Sequence, residues 1–118
     1  MPNYVKKLKF GGEFNSHIHY FPRSLEILKF GCSFDVVIDF SKLPKTLRKI
    51  VFGESFNQNI DNLPDWIEFL QLGIGFDKKI SKFPKNIKKV IVKRLDDQEK
   101  LKINKRIASI VTYVEEII

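Results

Sequence analysis

Phe52-Gly53-Glu54-Ser55-Phe56-Asn57-Gln58-Asn59-Ile60 decides the fold, because its frame occurs four times in the chain. The other copies are Phe10-Gly11-x-x-Phe14-Asn15-x-x-Ile18, Phe30-Gly31-x-x-Phe34-Asp35-x-x-Ile38 and Leu72-Gly73-x-x-Phe76-Asp77-x-x-Ile80. A Phe-Pro or Leu-Pro pair follows each, and Pro22, Pro44, Pro64 and Pro84 are spaced 22, 20 and 20 residues apart. A fixed period of this length marks a stack of short coils, and such arrays mostly present surfaces for binding.

Working outward, the stretch before each glycine reads as a short strand. In Leu25–Phe30, Leu28 and Phe30 face one way and Ile27 and Lys29 the other. Val5–Phe10, Leu47–Phe52, Ile67–Leu72 and Ile87–Val92 fit the same frame. The expected fold is therefore a solenoid with about five short parallel strands in stacked coils of 20–22 residues. Each glycine closes its strand where a permissive backbone suits a turn. The Phe after it stacks with its counterparts as a spine. The Asn or Asp that follows satisfies backbone N–H groups at a buried turn, and the Ile points back inside. The proline ends the return arm, where it has no N–H to give to a ladder. Nine of the eleven Phe fall on these anchors, leaving Phe40 and Phe69 outside them. Phe40 lies in a two-residue lengthening of the second coil, expected to form a surface loop.

The ends differ. Pro2-Asn3-Tyr4-Val5 matches Pro22-Arg23-Ser24-Leu25, so the array starts in mid-repeat with an uncapped first coil. An open strand edge of that kind attracts a partner. The repeat array is read as residues 1–92 and the remainder, 93–118, as a C-terminal helical cap. There Ile103, Ile107, Ile110, Val111, Val114 and Ile118 recur at helical spacing, although Ile110-Val111-Thr112 is β-branched. Packing over the Val90–Val92 rung is its expected role, ahead of membrane-surface binding through Lys100, Lys102, Lys105 and Arg106.

Composition narrows the function. At 118 residues and net charge +7 the chain is one basic domain. No apolar run reaches the roughly 20 residues of a membrane span, and the N-terminus lacks the apolar segment of a signal peptide. The single cysteine, Cys32, suits a reducing compartment, so a cytoplasmic protein is expected. Seventeen of the 21 basic residues are Lys and four are Arg, beside a single Ala. That profile suggests an AT-rich genome more than a phosphate-gripping surface, for which Arg is better suited. His17 and His19 have no further ligand to complete a metal site, and each Gly-x-x-Phe is a repeat turn, not a phosphate loop. Neither an enzyme nor a cofactor is expected.

With Leu63-Pro64 after it, Phe52–Ile60 resembles the FNIP repeat, and the resemblance covers about residues 2–92. That family is similar to leucine-rich repeats and abounds in social amoebae and in giant viruses of amoebae, which fits the composition. If viral, the expected setting is the host cytoplasm. Many viral members carry an N-terminal F-box; with the repeats starting at once none is expected here, and the resemblance implies a leucine-rich-repeat-like solenoid fold and a binding role. The expected partner is a protein, held by two outward columns on the strand face. One is Lys7, Ile27, Lys49, Phe69 and Lys89; the other is Lys9, Lys29, Val51, Gln71 and Ile91. Phe69 and Ile27, apolar among lysines, are the expected anchors. Trp66 stands where other copies have Ser24, Thr46 and Asn86, and reads equally as local packing or as a contact. Non-specific nucleic-acid binding through the Lys rows and Lys78-Lys79, Lys88-Lys89 and Lys93-Arg94 is the alternative. A homo-oligomer through the open first coil is the third reading.

Overall fold

A computed structural model describes residues 4–78, 80–93 and the backbone of 111–113. Five three- or four-residue strands, one per coil, follow the repeat: β1 (Lys7–Lys9), β2 (Ile27–Lys29), β3 (Lys49–Val51), β4 (Phe69–Gln71) and β5 (Lys89–Val92). They pair in parallel and in sequence order, with Leu8, Leu28, Ile50, Leu70 and Val90 in register along the centre of the sheet. The strands are shorter than their pattern predicts. Glu26 and Ile27 both donate their N–H to the Lys6 carbonyl, at 2.7 and 3.0 Å, and the same doubling recurs at Arg48/Lys49 and Glu68/Phe69. Two donors on one acceptor bend the chain there, so Leu25 and Leu28 both face the core while Glu26 stays outside.

Beyond the strand, the repeat phrase builds three further columns. Phe10, Phe30 and Phe52 stack at 5.3 and 5.5 Å between centroids, and Phe14, Phe34, Phe56 and Phe76 at 5.9, 6.2 and 6.5 Å. The second spine was expected; the first, set just before each glycine, was not. Outside the rings runs a ladder of short polar side chains. Asn15 Oδ1 accepts the N–H of Asp35, Asp35 Oδ1 that of Asn57, and Asn57 Oδ1 that of Asp77, each at 2.8 or 2.9 Å. The turn is exposed or half-exposed, not buried. One oxygen does the bonding, which is why Asn and Asp alternate freely.

The glycines act differently from the expectation. A Cβ on Gly31, Gly53 or Gly73 would lie 2.1–2.4 Å from the carbonyl oxygen of the glycine one coil earlier. No positive φ is involved, so close approach between coils, not turn torsion, selects glycine. The prolines open turns instead of ending the return arm: Leu25, Leu47, Ile67 and Ile87 donate to the carbonyls of Pro22, Pro44, Pro64 and Pro84.

Two corrections concern the odd segments. The two-residue lengthening of coil 2 is a 3-10 turn, Phe40–Lys42, N-capped by Asp39, and it delivers Phe40 into the core at 6% exposure. The Leu43 N–H reaches the Phe40 carbonyl just as Leu63 reaches Ile60, so the insertion duplicates the inward position already held by Ile38. Within the predicted C-terminal helix, Val111–Tyr113 forms instead a sixth strand, β6, parallel to β5 with Val90 opposite Val111. The β-branched residues favour a strand, and the β5 edge supplies a ladder to join. The segment does lie beside the Val90–Val92 rung, but as sheet. The rest of that predicted helix lies outside the described residues.

Candidate functional site

The outward side chains of β1 to β5 form one face of the stack. All ten residues expected to present there do fall into two straight columns. Lys7, Ile27, Lys49, Phe69 and Lys89 are in register, as are Lys9, Lys29, Val51, Gln71 and Ile91. None of the ten is fully buried, and Phe69 is 38% exposed.

The two columns divide the face by chemistry. Lys7, Lys9, Lys29 and Lys49 crowd the first three rungs, and no carboxylate occupies either column. The field is felt at the centre of the group. The Lys29 ammonium is held below its ordinary pKa, chiefly by Lys7, then by partial desolvation, then by Lys49 and Lys9. Further along, Val51, Phe69, Gln71 and Ile91 make the face largely apolar, with Lys89 as the cation of its fifth rung. A hollow of about 240 Å³ opens there, lined by Lys49, Phe69, Leu70, Gln71, Lys89 and Ile91. A third column, at the bend before each strand, alternates in sign: Lys6, Glu26, Arg48, Glu68, Lys88. Its members pair among themselves, Lys6 with Glu26 at 3.2 Å and Glu68 with both Arg48 and Lys88 at 3.4 and 3.3 Å. Each such exposed pair is worth about 0–1 kcal/mol, but the column commits its carboxylates away from the lysines of the face.

A second concavity of about 550 Å³ lies on the return arms, between Val37, Phe40, Gln58, Asn59, Asn62 and Trp66. Its lining includes Asp39, Phe40 and Ser41 of the lengthened coil 2, a segment whose sequence reads as a surface loop. Much of its polar lining is engaged within the frame. Gln58 donates to Asp35 at 3.0 Å, Asn59 bonds Asp61, and the Trp66 indole N–H donates to the Pro44 carbonyl at 3.0 Å. Trp66 thus acts like its counterparts, Ser24 and Thr46, whose hydroxyls donate to Val5 and Leu25 of the coil before. The packing alternative holds for it. Cys32 is an exposed thiol 3.5 Å from the Gly12 carbonyl. Among the described residues, no three His, Cys, Asp or Glu are grouped as metal ligands, and no helix is long and apolar enough to cross a membrane.

The FNIP repeat family model matches three overlapping segments, residues 1–33, 17–55 and 34–75. No curated protein and no solved structure matches the chain. The three matched segments together span well over half of the sequence, over the same coils that stack glycine on glycine, and the chain belongs to the FNIP repeat family.

Proposed function

We propose that this chain is a protein-interaction module that holds its partner on the strand face. The observation that carries the reading is the contrast between columns. Positions facing the core repeat from coil to coil, while the two outward columns change at nearly every rung. A repeat array that fixes its scaffold and varies one face is built to present that face. Phe69 and the hollow beside it supply the anchor, since exposed aromatics in a depression concentrate binding energy. A cytoplasmic setting agrees with the lone thiol of Cys32.

Affinity capture from the native cell lysate tests this, with the wild-type chain and a Phe69→Ala/Lys49→Glu variant as parallel baits. A discrete protein lost with the variant supports the reading. Nucleic acid alone, or the same set from both baits, overturns it.

A further inference from the structure

We propose that the strand face binds an extended, acidic protein segment that carries one apolar residue about three positions from its carboxylates. The inference rests on the interaction-module reading and adds the chemistry of the partner. Charge complementarity sets the acidic end. Lys7, Lys9, Lys29 and Lys49 lie on three neighbouring rungs, and the nearby carboxylates, Glu26 and Glu68, are paired with Lys6, Arg48 and Lys88. The face therefore keeps an uncompensated cationic end, which one or two carboxylates would neutralise while relieving the repulsion centred on Lys29.

The apolar end sets the spacing. Lys29 is on the second rung and Phe69 on the fourth. Two rungs at about 4.8 Å and the two-residue offset between the columns put them roughly 12 Å apart, which an extended chain rising about 3.3 Å per residue covers in three to four residues. A Leu, Ile or Phe at that distance would reach the hollow between Lys49, Phe69, Gln71 and Ile91.

A nucleic acid is the competing occupant, because single strands also use lysines and a stacking ring. The face favours a peptide. Phe69 is the only ring in either column, no arginine is present in them, and Val51, Phe69 and Ile91 offer phosphates no counter-charge.

The test is fluorescence anisotropy with the full chain and labelled 12-residue probes on a Gly/Ser background. One probe carries two Asp and a Leu three residues on; a second has Asn for Asp, a third Ser for Leu, and a fourth is a 12-nucleotide oligothymidine. Tightest binding to the first probe is expected, with a tenfold or larger loss on Lys29→Glu/Lys49→Glu and on Phe69→Ser, and weakening with salt. A matching thermal melt shows that each variant is folded. Tighter binding of oligothymidine, or equal binding of the Asp and Asn probes, overturns the proposal. If lysate capture yields a partner that is lost with the face variant while these probes fail, the module reading stands and the acidic segment falls. If both fail, the face itself is wrong.

Discussion

At the turn after each strand, Gly31, Gly53 and Gly73 rest on the carbonyl beneath them with no room for a methyl group. A few residues earlier in the same coils, positions 27, 49 and 69 hold Ile, Lys and Phe in one straight column. Both sites stand on the same rungs, yet one tolerates nothing and the other nearly anything. The difference lies in which way each position points. A side chain aimed along the stack meets the next coil, and one aimed out of the sheet meets solvent or a partner.

Substitutions at paired positions test how sharp that division is. Phe56→Ala opens the middle of the ring column, between Phe34 and Phe76. It is expected to cost about 3–5 kcal/mol, a large share of a domain stability of about 5–15 kcal/mol; urea denaturation gives the value. Gly53→Ala forces a methyl against backbone and is expected to cost about 3 kcal/mol or more. Gly11→Ala, with open space around it, should stay within about 0.5 kcal/mol. Equal losses at the two glycines would mean that the turn, not the stack, selects the residue.

The polar ladder should give a smaller effect. Asn57→Ala removes the acceptor for the Asp77 N–H and is expected to cost about 1 kcal/mol, whereas Asn57→Asp keeps the oxygen and should be near neutral. On the strand face, Lys29→Glu should leave the urea midpoint nearly unchanged, since it leaves the core intact and softens the repulsion from Lys7 and Lys49. The smallest effect concerns acid. The Ser41 hydroxyl and N–H hold Asp39 below the usual carboxylate range. Its folded pKa is lower than its unfolded one, so its contribution is present above the ordinary value of about 3.9 and fades as pH falls through the folded value. Asp39→Asn should therefore flatten the stability profile slightly below pH ~4, as read by urea melts across that range.

Much of this was legible in the sequence because four copies of one phrase fix the coil length, and coil length fixes register. The period alone puts Lys7, Ile27, Lys49, Phe69 and Lys89 in one column. What resisted reading depends on contacts between coils. A glycine required by a neighbour's carbonyl looks the same in sequence as one required by torsion. Phe40 looked like loop because the period counts two residues too many there, and only packing shows that the surplus points inward. Val111–Tyr113 sits in a helical spacing of isoleucines, yet a free strand edge decided its state. The outward columns vary from rung to rung, so the repeat pattern that fixes the scaffold carries no information about what they meet.

The long second coil has a practical consequence. Its whole excess is absorbed at the 3-10 turn of Phe40–Lys42, while Phe34 and Phe56 on either side still stack at 6.2 Å and 1°. The return arm is thus a socket mechanically insulated from the strand face. Peptide tags, fluorophores or whole loops grafted after Ile60 or Ile80 could lengthen a coil there without altering the spacing of the lysines on the opposite side. For a protein engineer, such an array can be labelled on its back while its front stays in its native form.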